Sequence, residues 1–119
     1  MQKDKIENNP LLRISLGLSF EIINYCELLN REKKFIVSNQ LLQSGTSIGA
    51  NCFEAQNAES KPDFIHKLKI AAKESDETQY WLILCSAGIG YPECEKLCKL
   101  LLEIQKLLTS IITSSKNNK

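Results

Sequence analysis

Side chains able to move protons, attack bonds or grip a metal are few in this sequence. Its one histidine, His66, follows Asp63 by three residues, a spacing that puts carboxylate and imidazole on the same face of a helix. A carboxylate-bridged di-metal helical site needs two E-x-x-H-type pairs plus further inward glutamates, and one histidine cannot supply both pairs. His66 would also have to be the base of any hydrolase triad, yet no serine stands in a nucleophile-elbow pattern. Cys94 and Cys98 lie one helical turn apart. They could form half of a metal site or pack as apolar thiols, and no C-x-x-C or histidine pair completes the set. The glycine-rich "GIGYP" at 88–92 lacks the Lys and Ser/Thr of a phosphate loop. Residue chemistry therefore points to a non-enzyme with no catalytic residue, metal, cofactor or small-molecule substrate.

Positive charge is the next chemistry to weigh. Lys67, Lys69 and Lys73, with Lys61 nearby, concentrate in one segment, and "ESDE" follows at once. Two readings stand: a solvated helix face with i, i+4 pairs such as Lys73 with Glu77, or a modest charge that an oligomer gathers into a nucleic-acid contact. Fifteen Lys and Arg against fourteen Asp and Glu leave a net charge of +1, without the basic excess of a dedicated nucleic-acid binder.

The elements that must position these groups are helical. At 119 residues the chain is sized for one domain, 1–119. Four long segments carry helix start and stop signals, and none shows the two-residue alternation of a strand. The first is expected over about 10–30, with Asn9 as cap and Pro10 in the first turn, and with Leu11, Leu18, Ile22, Tyr25 and Leu29 lining one face. Leu12, Leu16, Phe20 and Ile23 widen that face. The second is expected over about 38–57 behind a Ser38 cap. The third, over 61–87, follows "SKPD": Ser60 caps, Pro62 sits in the first turn and Asp63 favours the positive helix end. Gly88 ends it in a left-handed conformation, and Pro92 opens the fourth helix, 92–113, where Cys94, Leu97, Leu101, Ile104, Leu108 and Ile111 make one stripe. Short connections between such helices predict an all-α, antiparallel up-down-up-down four-helix bundle. No apolar run reaches bilayer length, and five scattered cysteines do not make a secreted disulfide framework, so a cytoplasmic, membrane-free protein is expected.

Two surfaces then call for an explanation. In the second helix Gly45 and Gly49 fall on the apolar side, where each costs about 1 kcal/mol relative to alanine, so a close approach of another helix is inferred. Asn51 lies opposite with Gln40, Ser44, Ser47 and Glu54, either as a solvated stripe or in a buried polar contact. In the third helix "YWLILC" is apolar nearly all round. Tyr80, Trp81 and Leu84 point away from the core face, which calls for self-association or for cover by loop or tail. Gly45, Gly49, Tyr80, Trp81 and Leu84 are the residues expected at an oligomer contact.

"SIGANCFEA" followed by "DFIHKLKIAAKESDETQYWL" resembles the signature of the bacterial four-helix-bundle family that includes the 23S rRNA intervening-sequence proteins. Ser47, Ile48, Asn51 and Glu54 correspond to its S-I-x-x-N-x-x-E core, and Phe64, Lys69, Glu77, Thr78, Tyr80, Trp81 and Leu82 match its next helix. The resemblance implies a ring-like homopentamer without enzymatic activity, acting as a scaffold or adaptor. It also gives Ser47, Asn51, Glu54 and Glu77 more than an incidental place. A related branch comprises accessory proteins of diversity-generating retroelements, which work with a reverse transcriptase and nucleic acid. An RNA or reverse transcriptase partner is the corresponding expectation, with Lys67, Lys69 and Lys73 as the contacts.

Overall fold

The computed structural model describes residues 3–117, which form five helices and, among the described residues, no strand. They are α1 (Lys3–Glu7), α2 (Pro10–Arg31), α3 (Phe35–Ala55), α4 (Lys61–Ala87) and α5 (Glu95–Asn117). The polar N-terminal stretch was not expected to be helical, and α1 touches only α2.

Local chemistry accounts for most boundaries. The Asn9 side chain accepts from the N–H groups of Leu11 and Leu12 at 3.1 and 3.3 Å, satisfying donors that a helix start leaves free. Ser60 does the same for Asp63 at 3.2 Å, while the Asp63 carboxylate reaches back to the Glu59 N–H at 3.1 Å.

Two expected boundaries are corrected. Ser38 does not cap α3, which begins three residues earlier at Phe35. Its hydroxyl instead donates to the Cys26 carbonyl at 3.2 Å, and the Cys26 thiol donates back to the Ser38 carbonyl at 3.4 Å. A partner on α2 has claimed the group that would have capped. The start moves back because α2 closes with Lys34 N–H on the Leu29 carbonyl at 2.8 Å and Lys33 N–H on the Asn30 carbonyl at 3.0 Å. This is the Schellman pattern, with Lys33 at φ 61° where glycine is usual. At the other connection Gly88 is not left-handed (φ −77°); Gly90 is (φ 82°). Gly88 lacks a side chain for another reason: a Cβ there would lie 2.5 Å from the Tyr91 ring. The fourth long helix starts at Glu95 rather than Pro92 and runs on to Asn117.

The long helices close a ring of contacts: α2 packs on α3 and α5, and α4 packs on α3 and α5. Among the described residues the α2 and α4 backbones are not neighbours; the two helices meet across the core through side chains such as Tyr25 and Cys85. Side-chain bonds show which ends meet. Asn9 Nδ2 donates to Gln56 Oε1 at 3.2 Å, the Tyr25 hydroxyl donates to the Pro92 carbonyl at 2.6 Å, and Gln105 Nε2 donates to Gln79 Oε1 at 3.2 Å.

Leu12, Leu18, Ile22 and Leu29 of α2 are fully buried against Leu41 and Ile48 of α3, Leu68 and Leu82 of α4, and Ile104 and Leu108 of α5. Each such side chain contributes about 1.5–3 kcal/mol relative to exposure. The α3–α4 seam is different, because it holds a buried pair of hydroxyls, those of Ser44 and Thr78. The Thr78 and Ser44 hydroxyls are 3.0 Å apart, with the Glu74 and Leu41 carbonyls at 2.8 and 3.5 Å to take the remaining proton.

Candidate functional site

The glycines of α3 serve the inside of the chain. A Cβ on Gly45 would lie 2.9 Å from three side-chain atoms of Ile22, and one on Gly49 would lie 3.0 Å from Ser19 Oγ and 3.4 Å from the Ser15 carbonyl oxygen. The inferred close approach is therefore made by α2 of the same chain. Both glycines are buried, so the assembly contact expected of them is corrected.

The polar side of α3 also divides. Ser44 is fully buried in the α3–α4 seam rather than part of a solvated stripe. Ser47 and Asn51 are half-buried, and Asn51 Nδ2 donates to the Ser47 carbonyl at 2.9 Å, a contact within its own helix. Glu54 is exposed and accepts from Lys67 Nζ at 3.3 Å, bridging α3 to α4. Glu77 is exposed, and the expected Lys73–Glu77 pair is not among the ion pairs formed by the described residues.

The three lysines do not act as one group. Lys67 has its charge answered by Glu54, while Lys69 and Lys73 are exposed on another face of α4. Lys69 lies beside Lys116 of α5 and lowers its pKa through a direct side-chain contact and through charge repulsion.

On α4, Tyr80 and Leu84 point outward as expected, and Ile83 joins them at 57% exposure. Trp81 does not. It is half-buried against the core, its ring edge-on to Tyr80 at 5.1 Å, and its Nε1 is buried without a partner. It thus contributes little outward surface. Leu102 of α5, 51% exposed, extends the apolar face across a groove of about 460 Å³ between α4 and α5, whose walls include Leu82, Leu101, Gln79 and Gln105. Sequence periodicity gave no sign of this groove, because it belongs to two helices at once.

A second apolar face lies on α2. Phe20 and Ile23, expected to widen the core face, are 60% and 40% exposed. Leu18 and Ile22 already fill the interior, so these neighbours turn outward. A third exposed group, Phe35, Ile36 and Ile89, sits where the α2–α3 and α4–α5 connections meet, beside Lys34 stacked 4.9 Å over the Tyr91 ring.

The cysteines are all free. Burial pushes the Cys26 thiol up to about 11 and the Cys52 thiol up to about 12, and raises Cys85 and Cys98 as well. Among the described residues no group of three or more His, Cys, Asp and Glu could hold a metal ion, and no helix is long and apolar enough to cross a membrane.

With this geometry in view, the comparisons with known proteins are specific. The sequence pattern of the 23S rRNA-intervening sequence protein family matches residues 7–112. A crystal structure of a protein of unknown function from the S23 ribosomal protein family of Bacteroides thetaiotaomicron VPI-5482 is 46% identical, with a TM-score of 0.78. The match covers 86% of this chain and 97% of that one. No curated protein matches the chain.

Proposed function

This chain belongs to the 23S rRNA-intervening sequence protein family, and from that premise we propose that it is a non-catalytic oligomeric scaffold or adaptor of the cytoplasm. Its fold is best described as an antiparallel up-down-up-down four-helix bundle, a description supported by the closed ring of helix contacts and the short connections.

One observation carries the assembly reading: large apolar side chains are exposed on two faces that belong to helices whose backbones are not neighbours. Phe20 and Ile23 stand on α2; Tyr80, Ile83 and Leu84 stand on α4, with Leu102 beside them on α5. Such area in water marks an interaction surface. Two different faces on opposite helices suit a head-to-tail contact, which closes into a ring when the rotation permits, and five copies are the number expected from the family resemblance.

The test is size exclusion with light scattering on two variants, Phe20→Asp and Ile83→Asp. Each alone should be monomeric. Mixed, they should form a dimer and nothing larger, because each retains the face that the other has lost. Two variants that remain monomeric when mixed would exclude the head-to-tail pairing, and a monomeric native chain would exclude assembly altogether.

A second reading has its own observation. Lys69, Lys73 and Lys116 place positive charge on one exposed side of α4 and α5, and among the described residues no carboxylate bridges to them. Repeated around a ring, that charge would suit the phosphates of an RNA held with a partner such as a reverse transcriptase. RNA affinity should then fall steeply with salt, and a Lys69→Ala/Lys73→Ala variant should show a shallower slope. An absence of RNA binding by the assembled chain would exclude this reading.

A further inference from the structure

Four of the five thiols are buried; the exception is Cys98, half-buried on α5 one turn after Cys94. Their sulfurs are 3.8 Å apart. Residues four apart on a helix have Cα atoms about 6.2 Å apart, from a rise of about 1.5 Å per residue and a radius of about 2.3 Å. Disulfides tolerate Cα separations of about 4.4–6.8 Å, so backbone geometry permits this one. Cys94 sits just ahead of the first residue of α5, and its carbonyl already accepts from the Cys98 N–H at 3.0 Å. Its sulfur now leans on α4, 3.2 Å from Ser86 Oγ and 3.8 Å from the Leu82 carbonyl oxygen. Those weak contacts are what a turn of the Cys94 side chain towards Cys98 gives up.

We propose that Cys94 and Cys98 form a redox-active dithiol, a modification site for small disulfides in which Cys98 attacks and Cys94 resolves. The Cys98 thiol loses its proton, and the thiolate attacks one sulfur of a low-molecular-weight disulfide such as oxidised glutathione. The S–S bond of the reagent breaks, and one glutathione leaves with the electron pair and takes up the proton. The Cys94 thiolate then attacks the Cys98 sulfur of the mixed disulfide and expels the second glutathione, which is protonated in turn. Two protein thiols are oxidised to one disulfide, and one oxidised glutathione is reduced to two thiols. Because burial and the neighbouring Cys94 hold the Cys98 thiol in its protonated form, the first step is slow.

Cys98 and Ser86 both line the groove that also carries Ile83 and Leu102. Closing the disulfide removes the Cys94–Ser86 contact between the α4–α5 connection and α4, and changes one wall of that groove. Oxidation should therefore weaken association; this consequence, unlike the dithiol itself, rests on the assembly reading.

The experiment incubates the reduced full chain with oxidised glutathione, alkylates the remaining thiols, and reads intact mass and peptide map. The native chain should lose two hydrogens and keep all but two of its five thiols open to alkylation after unfolding. Cys94→Ser should stop with one glutathionyl group on Cys98, and Cys98→Ser should not react over the same time. Phenylarsine oxide, which bridges paired thiols, should bind the reduced native chain and neither variant. A lasting glutathionyl group on native Cys98, a disulfide between another pair, or no reaction at all would overturn the dithiol. Light scattering on reduced and oxidised chain should show a fall in mass on oxidation. An assembled chain whose mass does not change overturns the coupling and leaves the assembly reading standing. A chain monomeric in both states overturns the assembly reading and leaves the dithiol.

Discussion

Replacing Gly45 by alanine adds one methyl group to the α2–α3 contact, and its effect can be worked out from the geometry. The new Cβ would meet Cδ1, Cγ1 and Cγ2 of Ile22, each at 2.9 Å, where carbon atoms prefer about 3.5–4.0 Å. Ile22 cannot swing aside, since it is branched at Cβ, held to one favoured rotamer in a helix, and fully buried. The helices must part instead, at the roughly 1–3 kcal/mol typical of an overpacked core. Three simultaneous contacts argue for the upper part of that range. Alanine recovers about 1 kcal/mol through its better helix propensity, so Gly45→Ala should destabilise the chain by about 1–2 kcal/mol. Ile22→Ala removes all three opposing atoms and alone costs about 2–5 kcal/mol. On that background the added methyl no longer clashes, and Gly45→Ala should stabilise by about 1 kcal/mol. Urea unfolding followed by circular dichroism, at one fixed protein concentration, measures all four chains of the cycle. A Gly45→Ala effect of the same sign in both backgrounds, or a neutral single substitution, would refute the account of this glycine as a spacer for Ile22.

Other perturbations have equally definite outcomes. Lys33 holds a left-handed conformation that costs an L-residue about 1–2 kcal/mol, so Lys33→Gly should raise stability by up to about 1 kcal/mol; a lower urea midpoint would count against that strain. Tyr25→Phe removes the 2.6 Å bond to the Pro92 carbonyl and should cost about 1 kcal/mol, with amide exchange accelerating at residues 88–91; unchanged exchange there would show that the hydroxyl does not hold the connection. Alkali should destabilise the fold. Burial raises the pKa of the Tyr25 hydroxyl and pushes the Cys26 thiol to about 11 and the Cys52 thiol to about 12, against 9.0 for an unperturbed thiol. The folded chain thus keeps protons that the unfolded chain releases, and this contribution is full below about pH 9 and lost as pH rises towards 12. A urea midpoint that stays flat from pH 8 to pH 11 would contradict it.

What could be read from the sequence followed the scale of the interaction involved. The start of α4 was legible because Ser60, Pro62 and Asp63 act on backbone groups within one turn. The buried stripe Leu97, Leu101, Ile104 and Leu108 was legible because its period is that of the helix itself. Ser38 misled for the opposite reason: its hydroxyl has a partner on α2, and no local rule reports a neighbour from another helix. Ser44 misled because a small hydroxyl in a close-packed seam and one in water share the same helical spacing. Phe20 and Ile23 were placed inside on hydrophobicity, but only three-dimensional packing shows that Leu18 and Ile22 have already filled that space. At the candidate site, Tyr80 and Leu84 were found by counting around one helix, whereas Ile83, Leu102 and their shared groove needed the relation between two.

The α2–α5 contact joins distant parts of the chain: Lys96 pairs with Glu21 at 3.1 Å, and the Tyr25 hydroxyl meets Pro92. During synthesis α2, α3 and α4 emerge first and can pack as successive neighbours, whereas the ring of contacts stays open until residues 95–117 have left the ribosome. Until then the sides of α2 and α4 that α5 will cover remain bare, alongside the outward Phe20 and Ile83. A nascent chain paused before Leu97 would expose more apolar surface than the finished one. Translation pace through the last helix thus sets how long it remains vulnerable to premature association.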